Sequence, residues 1–358
     1  MFLRNSWYVA GWTHQFQPGA LVARKILGEP LVLYRTRAGS VVAMEDRCCH
    51  RFAPLSRGRL EGDDIRCMYH GIKFAVDGRC LEIPAQDVIP EGVRVRTYPV
   101  VEKDLWTWVW LGEPARADAS LIVDALHHED SEWLIGTGEM MYDANYQLIH
   151  DNLLDLTHLS FVHQNTLGRG SPAWGTARPK VEPIDRGVRV SRWLRDRGTP
   201  PYVRMPRQQW DAWASYDFVV PGLFLLHSAS YPTGTANRFP DGPHGDLEPG
   251  FVVATSQAIT PVSERATTYY YSGGQLRRHA DAALIEDQLE AFGAAFLEDK
   301  AMIEAQQKVL EASEGRSMMT LTFDRSIAMF RRLMATLMKQ EANGDTDGVR
   351  PVDLAAAE

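Results

Sequence analysis

Four cysteines in 358 residues are too few for the disulfide framework of a secreted scaffold. Free thiols imply a reducing compartment, so the cytoplasm is the expected location. No stretch approaches the roughly 18 uninterrupted apolar residues of a membrane-spanning helix, and no membrane association is expected. The opening "MFLRNSWYVAGWTHQF" lacks the apolar core and small-residue cleavage site of a signal peptide. Basic residues are also in short supply: 38 Lys and Arg stand against 46 Asp and Glu, a net charge of −8. A nucleic-acid partner, which needs clustered cations, is not expected. The basic run "SRWLRDRG" (191–198) is short and interrupted by an acid, and reads as a solvated surface face. There is no G-x-G-x-x-G following a strand and no C-x4-C-x2-C run, which excludes a built-in nicotinamide or flavin site and a plant-type ferredoxin cluster.

What is present, 45% hydrophobic and 23% charged residues, describes a globular protein of one large domain or two ordinary ones. The first 115 residues read as β structure. "VRVRTYPVV" (93–101) and "LWTWVWLG" (105–112) alternate with period two. In the latter Trp106, Trp108 and Trp110 share one face while the other is also apolar, so that strand should be covered on both sides. "GEPARADAS" (112–120) reads as a linker. A helical pattern follows over 143–164. Strands and loops occupy about 175–275, with a long Pro- and Gly-rich segment at 231–250 that is expected to cover a site. Helices are expected from about His279 to Ser313 and from about Ser326 to Glu341, then a disordered tail. The expected division is 1–115, 116–341 and a tail of 342–358.

The densest chemistry lies in "CCHRFAPLSRGRLEGDDIRCMYH" (48–70). It sets Cys48 and His50 sixteen residues ahead of Cys67 and His70. Composition sets aside a disulfide framework. Zinc accepts two Cys and two His, although a Cys-x-His opening is awkward for a finger. A [2Fe-2S] cluster held by two Cys on one iron and two His on the other is the third possibility. The motifs "CCHRFAPLS" and "CMYHGIKFAVDGRC" resemble the Rieske signature of ring-hydroxylating and O-demethylating oxygenases: C-x-H, sixteen or seventeen residues, then C-x-x-H-G. The resemblance assigns Cys48, His50, Cys67 and His70 to the cluster. Cys49 stands where the family usually has Pro, and Cys80 reads as a buried small residue.

A cluster alone would suit an electron carrier, yet two thirds of the chain remains. "DNLLDLTHLSFVH" (151–163) holds an Asp-x-x-His-x4-His pattern, Asp155, His158 and His163. Further on, Ile285, Leu289, Phe292, Phe296 and Ile303 form one apolar helical stripe, interrupted at the expected step by Asp299. A carboxylate in such a stripe needs a metal or a salt bridge. His158, His163 and Asp299 would make a 2-His-1-carboxylate Fe(II) site. In a straight helix His158 and His163 would lie about 140° apart, so a break is expected between them, around Leu159–Val162.

Apart from its tail, the chain resembles the vanillate O-demethylase and dicamba O-demethylase oxygenase group. The resemblance rests on "RNSWYVA", "HRFAPLS", "NYQLIHDNLLDLTHLSFVH" and "LEDKAMIEAQQ". It implies an α+β fold: an N-terminal β-sandwich Rieske [2Fe-2S] domain, then a helix-grip catalytic domain with a curved antiparallel sheet. It implies a monooxygenase that uses O2, is fed by a separate NAD(P)H-dependent reductase with or without a ferredoxin, and assembles as a homotrimer. The most fitting reaction is O-demethylation of a methoxylated aromatic acid; ring hydroxylation, N-demethylation and methyl hydroxylation use the same irons. By the same resemblance Asp155 accepts a hydrogen bond from His158 and links the mononuclear iron to His70 of an adjacent subunit, and Asn152 joins it as a catalytic candidate. His227 in "FLLHSAS" and Gln257 in "ATSQAIT", polar residues in apolar strands, are candidates for reading a phenol or carboxylate.

Overall fold

The strand-forming runs pair into four sheets in the computed structural model, which describes residues 1–168 and 171–344. Residues 345–358, most of the expected tail, lie outside the described residues. The chain divides into two compact units. One is Met1–Asp124 with Thr260–Glu264; the other is Ala125–Ile259 with the chain from Arg265 onward. The division falls at Asp124, beyond the 112–120 linker, instead of at Ala115. The fold is mixed α+β. No helix among the described residues is long and apolar enough to cross a membrane.

The first unit holds three small sheets. Trp106–Leu111 is the middle strand of one, between Ser6–Trp12 and Val100–Lys103. All six of its residues are buried, as two apolar faces require. Trp106 packs on Trp12 and Trp110 on Trp7, while Val109 and Leu111 join Tyr8, Ala10 and Phe16 in a separate core. The second sheet is Val22–Ile26, Glu29–Arg35, Val41–Glu45 and Thr97–Tyr98; the third is Arg59–Glu61, Asp64–Arg66, Lys73–Phe74 and Cys80–Glu82. The Cys48 loop leaves the second sheet, and the Cys67 loop joins two strands of the third.

The second unit is built on a seven-stranded sheet. Its strand order is Trp133–Tyr142, Ala266–Leu276, Phe251–Ser263, Leu223–Pro232, Gln209–Val219, Gly187–Gly198 and Lys180–Ile184. Among the described residues five α-helices accompany it: α1 (Tyr146–Leu154), α2 (Ala173–Thr176), α3 (Thr235–Arg238), α4 (Ala282–Glu311) and α5 (Arg325–Ala342). Helix α4 lies on the Trp133–Tyr142 and Ala266–Leu276 strands. The side it buries is the stripe read from the sequence: Ile285, Phe292, Phe296, Asp299 and Ile303. The Pro- and Gly-rich 231–250 segment is tied down on the sheet's other face. Asp211 accepts the Gly234 and Ala236 amides, and the Trp193 indole donates to the Phe239 carbonyl. It does not line the main cavity, so the expectation of a cover over the site is corrected: buried partners claim its backbone.

The turn after the second cysteine loop has no room for a side chain. Gly78 has φ +78°, and a Cβ there would sit 2.0 Å from the Val95 carbonyl oxygen. Gly78→Ala is therefore expected to destabilise the first unit by at least about 1–3 kcal/mol and to lower cluster content, measured by denaturant unfolding and by visible absorbance per chain.

Candidate metal centres and substrate cavity

The two cysteine loops repeat one backbone pattern. The Cys48 amide donates to the Ala53 carbonyl and the Phe52 amide returns to the Cys48 carbonyl. The Cys67 amide likewise donates to Ile72 and the Gly71 amide returns to Cys67, all at 2.8–2.9 Å. The fourth residue after each cysteine, Phe52 or Gly71, has positive φ. Asp46 fastens the first loop through the Ser56 amide and hydroxyl, and the Arg66 guanidinium fastens the second through the Gly71 carbonyl. Both thiols are buried, and the His50 and His70 rings lie 4.7 Å apart at the exposed end. Burial pushes the Cys48 thiol up to about 12, so the thiolate form there depends on a bound metal. Paired thiols inside and paired imidazoles outside, on mirrored loops, fit a Rieske cluster; they do not arrange the four ligands in the manner of two adjacent cysteines on a zinc knuckle. Cys49 is exposed and Cys80 buried, and neither forms a disulfide.

The second centre depends on the end of α1. Asn145 caps the helix start by accepting the Gln147 amide. The helix stops at Leu154, and Asp155 is extended (φ −125°, ψ 96°). The Leu154 carbonyl released by the break accepts the Tyr216 and Ser326 hydroxyls instead. Asp155 then caps a 3₁₀ turn, Leu156–Ser160, its carboxylate accepting the Thr157 amide and hydroxyl. The chain leaves that turn at Phe161 (φ −117°, ψ −54°) and continues through turns to His163. The segment is thus interrupted as the 140° separation demands: the chain leaves the turn at Phe161, within the expected Leu159–Val162, and a further break at Asp155 precedes both histidines.

These turns bring His158 and His163 against Asp299 of α4, with one ligand atom of each within 4.8 Å of the others. Asp299 Oδ1 is 3.5 Å from His158 Nε2 and 3.3 Å from His163 Nε2, and it accepts the Asn152 amide at 3.1 Å. The far ring nitrogens are also committed. His158 Nδ1 lies 2.7 Å from the Asp155 main-chain carbonyl, and His163 Nδ1 lies 2.8 Å from Glu298, which also accepts the Thr166 hydroxyl. A carbonyl and a carboxylate at Nδ1 require Nδ1–H, which leaves both Nε2 lone pairs aimed at one point. Burial holds His158 below the usual imidazole range. Desolvation would lower His163 as well, but Asp299 and Glu298 outweigh it and raise that group. Three converging donors, each held from behind, fit a mononuclear iron.

Several positions differ from expectation. The Asp155 carboxylate is taken by Thr157, and it is the Asp155 main-chain oxygen that holds His158. Glu298 went unnoticed in the sequence, although its place beside Asp299 on the helix is the signal that could have found it. Beside the triad lies a cavity of about 110 Å³, the scale of the roughly 150 Å³ known to accept a benzene ring. Its walls are chiefly Leu153, Leu159, Phe224, Phe251, Phe292 and Phe296. Gln257 reaches it, but its amide already donates to Thr255 and accepts the Tyr269 hydroxyl. His227 does not reach it. On its strand Phe224, Leu226, Ser228 and Ser230 face the cavity, so strand alternation turns His227 to the opposite face, 6.1 Å from the His127 ring. "SRWLRDRG" is not a solvated face either: Ser191 to Leu194 are buried and Arg197 lines the cavity.

A Rieske cluster site in one unit and a 2-His-1-carboxylate iron site opening on an apolar cavity in the other define the oxygenase component of a Rieske monooxygenase system. Residues 6–99 match the Rieske [2Fe-2S] domain, and residues 142–340 match the vanillate O-demethylase oxygenase C-terminal domain. The chain belongs to the Rieske non-haem iron oxygenases, in the group of the vanillate and dicamba O-demethylase oxygenase components. It is 40% identical to the toluene-4-sulfonate monooxygenase system iron-sulfur subunit of Comamonas testosteroni over 96% of this chain and 99% of that protein. It is 30% identical to a vanillate O-demethylase oxygenase subunit of a Pseudomonas species, over 95% and 96%. The crystal structure of dicamba monooxygenase bound to dicamba is similar, with a TM-score of 0.82 at 30% identity over 96% of this chain and 99% of that one.

Asp299→Ala is expected to abolish iron binding at the mononuclear site while leaving the cluster spectrum intact. Glu298→Ala is expected to keep the site but weaken iron about 10- to 100-fold by freeing His163. Iron content per chain and competitive chelation, read beside the cluster absorbance, measure both.

Proposed function

We propose that the chain is the terminal oxygenase that oxidises the methyl carbon of a methoxylated aromatic acid, removing it as formaldehyde. The observation that carries this reading is the iron triad in the wall of an apolar cavity sized for one aromatic ring. When bound, the mononuclear iron supplied with electrons through the cluster provides dioxygen activation for attack on a C–H bond. The protein's part is geometric. Phe224, Phe251, Phe292 and Phe296 hold the ring and exclude water. Asn152, the Asp155 carbonyl and Glu298 fix the iron ligands. Oxidation of the methyl ether converts its C–H to C–OH; in the hemiacetal ArO–CH2–OH the bond between the ether oxygen and the CH2 carbon then breaks as the hydroxyl proton passes to the ether oxygen, giving the phenol and formaldehyde. A second reading, hydroxylation of a ring methyl group on an aryl sulfonate, is favoured by the relatives at 40% identity.

In this reading electrons come from a separate NAD(P)H-dependent reductase, directly or through a ferredoxin. The chain works in the cytoplasm as a head-to-tail homotrimer in which Asp155, whose main-chain oxygen holds His158, reaches the partner subunit's His70 through its carboxylate. A heterologous interface of that kind closes into a ring.

The test is purified protein with a reductase, NADH and a panel of methoxybenzoates and methylbenzenesulfonates. Formaldehyde release supports the first reading, a hydroxymethyl product the second, and oxidation of NADH by the chain without reductase contradicts both. Asp155→Asn is expected to retain both metals and the oligomer yet lose most coupled turnover. Cluster-to-iron transfer at the wild-type rate in single-turnover experiments would overturn the relay.

A further inference from the structure

The cavity has a charged end that the iron chemistry does not use. Among the described residues, Arg197 is the one charged residue in its lining apart from His158, His163 and Asp299. It gets there through a bulge. On the Gly187–Gly198 strand Leu194 pairs with Ala212, but the next pair is Arg197 with Trp210, and Asp196 is left-handed at φ +50°. In a regular ladder Asp196 would face Trp210 on the cavity side. The extra residue turns Asp196 out and Arg197 in. One inserted position therefore changes the sign of the charge in the cavity wall.

The guanidinium is held but not neutralised. It stacks over the Trp174 ring, 5.6 Å from its centroid, with Arg192 at the same distance from that ring. Among the described residues no carboxylate pairs with Arg197, and the half-buried side chain pays for desolvation without an anionic partner. Asp211, on the neighbouring strand, is committed to the amides of Asp196, Gly234 and Ala236. Arg197, Pro200 and Tyr202 also line an outer groove of about 640 Å³, so the cation stands where the cavity meets that groove.

We propose that Arg197 is the counter-ion for the acidic group of the substrate: it takes an aryl sulfonate or carboxylate by its planar fork of donors and orients the ring with its opposite end toward the iron. This deepens, and rests on, the reading of the chain as an oxygenase of an aromatic acid. A bound anion completes the pairing that the fold leaves open. A neutral ring of the same shape leaves the cation buried without a partner and is rejected. Arg197 is a specificity residue and takes no part in the redox chemistry.

The experiment measures equilibrium binding to the iron-loaded protein by calorimetry. The probes are 4-methylbenzenesulfonate, 4-methoxybenzoate and their neutral amides, 4-methylbenzenesulfonamide and 4-methoxybenzamide. Wild-type protein is expected to bind each anion about ten- to a hundredfold more tightly than its amide. Arg197→Gln is expected to lose that preference with amide binding unchanged, and Arg197→Lys to keep part of it. Equal binding of anion and amide by the wild type, which needs no folded variant, overturns the proposal, as does full anion preference in Arg197→Gln. Reductase-coupled turnover of the same four compounds separates the two layers. Oxidation without anion preference removes the role of Arg197 and keeps the oxidation of the methyl carbon; anion preference with no oxidation of any probe keeps an anion site and removes the proposed methyl oxidation of aromatic acids on which this role rests.

Discussion

A carboxylate buried on the core face of a 30-residue helix is the constraint around which the second unit is arranged. Asp299 is 4% exposed and sits between Phe296 and Ile303 on the stripe of α4. An ionised carboxylate there is unstable unless cations or strong donors surround it. Among the described residues no arginine answers it; the residues that do are Asn152, His158 and His163. Those three come from a segment that could not present both imidazoles as one helix. The change of path at Phe161, between them, is therefore as necessary as the acid itself; upstream, Tyr216 and Ser326 donate to the Leu154 carbonyl released where α1 ends at Asp155.

The same economy governs the second layer. Both imidazoles are gripped at Nδ1, one by a main-chain oxygen and one by Glu298, so the rings cannot rotate away when the site is not filled. The cluster loops show a parallel solution in a different unit. Each cysteine closes its own loop with a pair of main-chain hydrogen bonds, so the thiols stay buried and the imidazoles stay outside. At the cluster site the backbone sets ligand direction; at the iron site one main-chain oxygen shares that task with the Glu298 and Asn152 side chains.

One cavity gathers two kinds of chemistry. Metal ligands, aromatic rings and Arg197 all line it, and Arg197 also lines the outer groove. An arene with a methyl-bearing end and an acidic end suits such a lining. Relatives named for toluene-4-sulfonate, vanillate and dicamba all belong to proteins of this architecture, and a single bulged residue is enough to decide which charge such a wall presents.

Local spacing made the metal ligands legible. Cys48, His50, Cys67 and His70 lie in two short loops, His158 and His163 in one segment, and Asp299 betrayed itself by interrupting a helical stripe, because a misplaced charge is visible wherever periodicity is regular. The helices and the doubly buried tryptophan strand were readable for the same reason. Strand facing was not. His227 is a polar side chain in an apolar run, yet alternation turns it to the sheet face away from the cavity. Arg197 stands in a basic run that reads as a solvated face, yet a one-residue bulge turns it inward. A period of two means that one extra residue reverses every side chain beyond it, and no feature of "SRWLRDRG" by itself announces that residue. The chain's own order of residues determined which chemistry it could hold; only the folded sheet, through pairing register, decided which charge faces the substrate.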